Sequence, residues 1–157
     1  MKKLVLLCLA PAMLLAACNK GSGTKVFKGA AVDNQYSAVV GSLRFDISSE
    51  LTAEDSVIFF AIENEGTKDL HFVFSDSYLI AEGDDAAYTL QFEDSSMLRA
   101  AKPKPNEIDV PADSSVEMVA FCDALNRTIL QGKTVTFHTV LNNKYSFTIS
   151  NMCEDLR

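Results

Sequence analysis

The sequence predicts an all-β protein whose strands form an antiparallel sandwich, and three observations indicate this fold. From Val26 onward, short stretches of alternating apolar and polar residues are separated by turn residues, which is typical of half-buried strands. No long segment has the apolar spacing that an amphipathic helix requires. About seven or eight strands fit into the chain after Val26. Since helices that could cover a parallel sheet are missing, we expect two packed antiparallel sheets.

The strands follow from local patterns along the chain. The first strand region, residues 37–47, is interrupted at Gly41, and an apolar run at residues 57–62 suits a central strand buried on both faces. Gly66 predicts a turn at residues 63–66, because glycine can adopt a positive φ angle there. Alternation then predicts strands within residues 70–74, 88–92, 116–122, 134–141 and 145–149. Asn142 and Asn143 predict a hairpin between the last two, and a short helical turn is expected near residues 125–131.

Length and charge restrict the function classes. The chain has 157 residues, which normally means one domain with a substantial core. It contains 21 Asp and Glu residues against 14 Lys and Arg residues, so its net charge is −7. Nucleic-acid binding requires clustered basic residues that neutralise phosphates, and the acidic balance therefore argues against a nucleic-acid partner.

The N-terminus has the pattern of a targeting signal. Lys2 and Lys3 precede a nearly unbroken apolar run at residues 4–17, which is too short to span a bilayer but suits the core of a signal peptide. The run ends in the sequence LAAC at residues 15–18, which resembles the lipobox of bacterial lipoproteins. The resemblance implies that the chain is cut before Cys18 and that this cysteine carries lipid, including palmitate. A plain secretory signal with a chance cysteine is the alternative.

The lipobox divides the chain into three parts. Residues 1–17 are the predicted signal peptide, residues 18–25 the lipidated cysteine with a flexible tether, and residues 26–157 the β-sandwich domain. The mature chain loses two lysines and no acid, so its net charge becomes −9. The resemblance to lipoproteins also implies an envelope location, and Asn19 after the cysteine favours the outer membrane, facing the periplasm or the cell surface.

Two segments of the predicted sandwich resemble small bacterial immunoglobulin-like domains. Residues 59–68, FFAIENEGTK, are similar to their strand followed by an N-x-G turn. Residues 109–121, DVPADSSVEMVAF, are similar to their later V-P-A-x-S-x-V turn and strand. The resemblance implies an immunoglobulin-like fold, found on many envelope lipoproteins of unknown function, and it transfers no catalytic residues. The cysteine pair around a core tryptophan is missing from the pattern, since the chain has no Trp.

Two cysteines remain in the predicted mature domain besides Cys18. Cys122 and Cys153 form an even pair in a compartment where disulfides persist, so the sequence predicts a structural disulfide between them. Two buried free thiols are the alternative. A redox-active pair is less favoured, because the C-x-x-C spacing that lowers a thiol pKa is absent.

The sequence shows no constellation of catalytic or metal-binding residues. His71 and His138 alternate with large apolar residues on predicted strands, so both are expected to face solvent. Neither has further His or Cys residues at the spacing of a zinc site. The acids at 82–85 and 93–94 lack the order of a calcium loop, and the nucleophile-elbow, phosphate-loop and H-E-x-x-H motifs are absent. No cofactor, metal or catalytic residue is therefore expected.

These observations favour a non-enzymatic module that binds another protein of the envelope. The locally basic loop at residues 99–105 and the acidic turn at residues 82–85 are candidate docking surfaces, with solvated loops as the alternative reading. An acidic lipoprotein inhibitor of a cationic enzyme such as lysozyme is the second hypothesis, since opposite charges speed association. An enzyme or metal carrier is the third.

Overall fold

The computed structural model describes residues 23–97 and 104–155 of the chain. The predicted signal peptide, Cys18 and residues 99–103 of the basic loop lie outside the described residues. The strands are β1 (Lys25–Ala30), β2 (Gln35–Val40), β3 (Leu43–Leu51), β4 (Ser56–Asn64), β5 (Leu70–Ala81), β6 (Ala87–Thr89), β7 (Glu93–Asp94), β8 (Glu107–Val110), β9 (Ser114–Cys122), β10 (Val135–Leu141) and β11 (Tyr145–Met152). A 3-10 turn covers Ser95–Met97, and one short helix, α1 (Arg127–Leu130), follows β9. None of the described residues forms a helix that is long and apolar enough to cross a membrane.

The strands form two sheets that pack together as a sandwich. Sheet 1 has the order β1-β11-β10-β5-β6, with β8 also pairing with β5, and sheet 2 has the order β2-β3-β4-β9-β7. Every pair is antiparallel except β1 with β11, which is parallel. The predicted antiparallel-rich sandwich is confirmed. The structure has eleven strands, more than the expected seven or eight. The difference comes from β1 and from the short strands β6, β7 and β8, which the alternating pattern did not delimit.

Phenylalanine side chains from both sheets fill the centre of the sandwich. Phe60 of β4 is fully buried, and its ring centroid lies 5.2 Å from that of Phe74 and 5.4 Å from that of Phe147. Phe45, Phe92 and Phe137 complete this aromatic cluster, with centroids 6.2–6.4 Å from that of Phe60. Most pairs meet edge to face, the arrangement that the charge distribution of aromatic rings favours. The cluster joins the two sheets because β3 and β4 belong to sheet 2 and β5, β10 and β11 to sheet 1.

Several local predictions from the sequence are confirmed. The apolar run forms the central strand β4, as predicted, with Ile58, Phe60 and Ile62 buried on its inner face. Burial on both faces is not found, because Phe59 and Ala61 on the outer face are only half-buried. Asn142 and Asn143 have φ angles of 50° and 53°, as a tight hairpin between antiparallel strands requires. Helix α1 lies within the predicted helical turn, and the side chain of Asn126 caps it by accepting a hydrogen bond from the Ile129 amide.

The turn after β4 forms for a different reason from the one the sequence suggested. Gly66 does not have a positive φ angle; instead, a Cβ atom there would lie 2.9 Å from the Asn64 side-chain oxygen. That oxygen accepts the Gly66 amide at 3.0 Å, and the buried Asn64 amide group donates to the carbonyls of Lys68, Val110 and Pro111. Asn64 thus ties the loop after β4 to the loop before β9.

The strand directions place the loops at two opposite ends of the sandwich. One end, which we call the tether end, contains the start of β1 and residues 41–42, 65–69, 111–113 and 142–144. Here the Lys25 amide donates to the Lys144 carbonyl at 2.7 Å. The other end, which we call the acidic end, contains residues 31–34, 52–55, 82–86, 123–134 and 153–155. The part of the chain that precedes residue 23 therefore joins the domain at the tether end.

Candidate functional site

The two ends of the sandwich differ strongly in charge. At the tether end, three basic and three acidic side chains balance one another: Lys25, Lys68, Lys144, Glu65, Asp69 and Asp113. The loops of the acidic end carry two basic residues, Arg127 and Lys133, against nine acids: Asp33, Glu54, Asp55, Glu82, Asp84, Asp85, Asp123, Glu154 and Asp155. This end therefore presents a surface of negative potential to any partner that approaches it.

Local hydrogen bonds give the acidic end a defined shape. Thr52 donates its hydroxyl to the Asp55 carboxylate at 2.6 Å and accepts the Asp55 amide at 2.9 Å, which closes the loop between β3 and β4. The Tyr88 hydroxyl donates to the Asp84 carboxylate, and this bond is the main reason why the pKa of Asp84 is lowered. Hydrogen bonds therefore hold both carboxylates in fixed positions.

A shallow groove runs between the β3 end and the C-terminal segment at this end. It has a volume of about 280 Å³ and is lined by acidic side chains around Arg127. The Arg127 guanidinium donates to the Leu51 carbonyl at 3.0 Å, and its Nε lies 3.8 Å from the Asp155 carboxylate. Within residues 23–97 and 104–155, no three His, Cys, Asp or Glu side chains come together as metal ligands would.

The two cysteines of the predicted disulfide lie beneath the acidic end. Both are buried and free in the structure, which therefore differs from the predicted bond. Cys122 ends β9, and Cys153 follows β11, where its amide donates to the Ser49 hydroxyl at 2.8 Å. Burial raises the pKa of both thiols, that of Cys153 to about 11. In this reduced form both sulfurs are neutral core groups, and the oxidised form stays a prediction.

The two histidines occupy different environments. The His71 imidazole is half-exposed at the tether end, with Nδ1 2.8 Å from the Asp109 carboxylate. His138 lies on the outer face of sheet 1, where Nδ1 is 2.9 Å from the Thr148 hydroxyl and the ring stacks on Tyr78 at 4.8 Å. Partial burial is the main cause that lowers the pKa of His138. The expectation that both rings face solvent thus fits His71 better than His138.

The stacked rings of Tyr78 and His138 stand on edge above sheet 1. They belong to directly paired residues of neighbouring strands, and their centroid separation equals the usual spacing between strands. A ring that stacks on its cross-strand neighbour presents its edge to solvent. The arrangement is a cross-strand aromatic pair, which stabilises the sheet, rather than a flat platform for stacking a planar ligand or a sugar.

The side of the sandwich between β1 and β2 presents unpaired backbone groups. Gln35 exchanges both of its backbone hydrogen bonds with Val32, away from β3. Along a strand, the backbone N–H and C=O groups of successive residues point alternately to one side and the other. The amides and carbonyls of Ser37 and Val39 therefore point away from β3, like those of Gln35. They have no hydrogen-bond partner among residues 23–97 and 104–155. Local alternation in the sequence does not reveal this edge, because the order of strands in a sheet depends on the whole fold.

The edge of β2 lacks the features that usually protect edge strands. Its sequence, QYSAVV, has no charged residue and no proline, and Val39 is 68% exposed. The neighbouring open edge, β1, carries Lys25 and Lys28, while β6 and β7 have only three and two residues. Among the described strands, β2 therefore offers the longest uncharged open edge.

Comparisons with known proteins identify no family. No protein-family model matches the chain, and no curated protein matches it. Among solved structures, the chain is similar to an uncharacterized β-sandwich protein from Clostridium difficile 630. The two are 10% identical with a TM-score of 0.48, and the match covers 83% of this chain and 97% of the other.

Proposed function

We propose that the protein is a bacterial envelope lipoprotein, held by lipid on Cys18, that acts as a non-enzymatic module for binding another envelope protein. The observation that carries this proposal is the lipobox at residues 15–18 after a cationic start and an apolar run of signal-peptide length. Two or three acyl chains would hold the protein on the membrane essentially permanently, since each buried CH₂ contributes about 0.8 kcal/mol. The outer membrane is the proposed location.

The geometry of the domain supports this arrangement. Cys18 precedes β1 by seven residues, a distance of at most about 20–25 Å in an extended chain, so the domain would stay close to the bilayer. The chain enters at the tether end, where acids and bases balance. Anionic lipid would repel the opposite, acidic end, and this repulsion would turn that end toward the partner.

Capture of partners in cells tests this function. The tagged full-length protein is crosslinked in living cells and its partners are identified by mass spectrometry, with Cys18→Ala as the control that removes the lipid site. The proposal predicts one dominant envelope partner that is captured by the wild-type protein and lost with Cys18→Ala. Many weak partners, or equal capture by the two forms, would contradict an anchored accessory module.

The charge difference between the two ends favours a second candidate, an inhibitor of a cationic enzyme such as lysozyme. Nine acids in the loops of one end would attract a basic enzyme and orient its approach. Lysozyme binding should weaken strongly as salt rises, because screening shortens the reach of exposed charges to about 8 Å at physiological ionic strength. Asp85→Lys should weaken binding about threefold or more, whereas Glu65→Lys at the tether end should change it little. Binding that ignores both salt and Asp85→Lys would exclude this candidate.

A further inference from the structure

We propose that the outer face of sheet 2 binds a basic amphipathic helix of a partner protein. This inference rests on the proposed function of the domain as a protein-binding module, and it adds the surface and the chemistry of the partner. The surface is centred on an apolar block, formed on the central strands β4 and β9 by two directly paired couples: Val57 with Phe121, and Phe59 with Val119. Phe121 is 52% exposed and Phe59 is half-buried, so the two aromatic rings present this block to solvent.

Apolar side chains at the centre of an outer face depart from the usual pattern of a sandwich. Outward positions of antiparallel sheets normally carry polar residues. The centre of sheet 1 follows this pattern with Thr136, His138 and Thr148. On sheet 2 the alternation is broken where β4 and β9 pair, so that the four apolar residues are adjacent. An exposed apolar patch surrounded by polar residues is typical of an interaction surface.

The charges around the apolar block indicate a basic partner. The strands of sheet 2 carry five acidic residues and one basic residue on the outer face: Asp46, Glu50, Glu63, Glu93, Glu117 and Arg44. Arg44 is bound to Asp46 at 2.8 Å, whereas no ion pair within residues 23–97 and 104–155 includes Glu50, Glu93 or Glu117. These three carboxylates would repel an anionic lipid surface, and equally the same face of a second copy, but they would attract Lys and Arg side chains.

A shallow groove beside the block gives a basic side chain a defined place. The groove has a volume of about 300 Å³ and lies over Ala61, the small residue that follows Phe59 on the outer face of β4. Asp46 and Glu117 are the paired neighbours of Ala61 on β3 and β9, and both line the groove. A Lys or Arg side chain in this groove would therefore lie between two carboxylates, of which that of Glu117 has no ionic partner among the described residues.

The sheet face favours a helix over an extended segment. The backbone groups of β4 are paired with β3 on one side and with β9 on the other, so they offer no hydrogen bonds to a partner. A helix satisfies its own backbone groups when it leaves water, whereas an extended segment on this face would bury groups without partners. Outer side chains two residues apart on a strand are separated by about 6.8 Å, close to the ~6 Å between positions i and i+4 of a helix. Two apolar side chains of the helix can thus lie on the block while the next one along, a Lys or Arg, lies over Ala61.

Site-specific photocrosslinking in living cells tests this surface. Phe121→benzoylphenylalanine places a photoreactive group on the apolar block of the tagged full-length chain, at an exposed position that tolerates the larger ring. Val26→benzoylphenylalanine is the matched control, because Val26 is similarly exposed (59%) but lies on the outer face of sheet 1. We expect position 121 to give one dominant adduct with another protein and position 26 to give none. The crosslinked peptide, identified by mass spectrometry, should have apolar residues at helical spacing that are flanked by Lys or Arg.

Charge reversal tests the basic character of the partner separately from the apolar contact. In the chain with the photoreactive group at position 121, Glu117→Lys should lower the adduct yield about threefold or more, because a cation then replaces an anion beside the groove. Glu107→Lys makes the same change at an exposed position of β8, which pairs with β5 of sheet 1, and it should change the yield little.

Four outcomes would overturn this inference. They are no protein adduct at position 121, an adduct with a second copy of this chain or with lipid, a partner peptide that is acidic or has no apolar face, and a yield that ignores Glu117→Lys. The proposed function fails separately, in the capture experiment with the wild-type chain. If that experiment identifies one dominant partner but position 121 gives no adduct, only the assignment of this surface is wrong.

Discussion

Replacing Phe60 with Ala is the sharpest test of the packing that holds the sandwich together. Phe60 is fully buried, and its ring is surrounded by five other phenylalanine rings with centroids 5.2–6.4 Å away. These neighbours come from both sheets and are held by their own strands, so they cannot collapse fully into the space that the ring leaves. Truncation of such a side chain costs about 3–5 kcal/mol, because both the transfer free energy and the contacts across the cavity are lost.

The adjacent residue is a matched control for this substitution. Phe59 is on the same strand with the same side chain, but it points to the outer face of sheet 2 and is half-buried. Phe59→Ala should therefore cost about 1–2 kcal/mol, according to the smaller apolar area that it returns to water.

The assay is urea unfolding of a soluble chain that begins at Asn19, followed by circular dichroism. The two variants should differ in unfolding free energy by about 2–3 kcal/mol, or roughly 10 °C in Tm for a domain of this size. An equal or larger loss for Phe59→Ala would refute the assignment of faces along β4, and a loss below about 1 kcal/mol for Phe60→Ala would refute the tightly packed cluster.

Four further predictions concern single sites. Asn64→Ala should lower the unfolding free energy by about 2–4 kcal/mol in the urea assay, since buried carbonyls lose their donor, and a loss under about 1 kcal/mol would contradict this. A Cβ at position 29 would lie 2.6 Å from the Tyr36 ring, so Gly29→Ala should lower the unfolding free energy by about 1–2 kcal/mol. Tyr36→Ala should relieve that clash in a double-mutant cycle, and additive losses of unfolding free energy would argue against contact. In the reduced protein, the Cys153 thiol (pKa about 11) should resist Ellman's reagent at pH 8 until urea unfolds the chain, and rapid native reaction would disprove its burial. The pKa of His138 in the folded protein should lie below 6.5 when followed by NMR. Because folding lowers this pKa, the contribution of His138 to stability is complete above pH 6.5 and is lost as the pH falls through the folded pKa. A midpoint above 6.5 would reverse the sign of this pH dependence.

The fold could be predicted where local pattern and final structure agree. The apolar run of β4 is central in sheet 2, between β3 and β9, as its length and composition indicate. Asn142 and Asn143 form the predicted hairpin turn because asparagine tolerates left-handed backbone conformations. In these segments the chemistry of a few neighbouring residues decides the conformation.

Alternation failed where contacts distant in sequence decide the structure. β5 continues to Ala81, well past residue 74. At Asp76, whose φ angle is 48°, the residues that face the core change from even to odd positions, so the second half of the strand is out of phase with the first. The predicted strand at residues 88–92 is shorter in the structure, since the Phe92 amide bonds to the side chain of Asn106 instead of to a neighbouring strand. The parallel pairing of β1 with β11 joins segments that are more than a hundred residues apart, which no local pattern reveals.

The functional surfaces could be predicted only in part, for the same physical reason. The overall negative charge is visible in composition, but its concentration at one end depends on which loops the topology brings together. The sequence singled out the turn at residues 82–85, and the structure adds four further acidic segments beside it. The open edge of β2 could not be predicted, because its lack of a neighbour is a property of the whole sheet.

The proposed function depends on lipid attached to Cys18, and the N-terminus of the mature protein shows whether this lipid is present. Cells that express the wild-type chain or Cys18→Ala are labelled with an alkyne analogue of palmitate, and the N-terminal peptide of the membrane-bound protein is identified by mass spectrometry. We expect the mature wild-type chain to begin at Cys18 and carry the label, and Cys18→Ala to be neither labelled nor cut at this position. A mature chain that begins elsewhere, or an unlabelled Cys18, would contradict it.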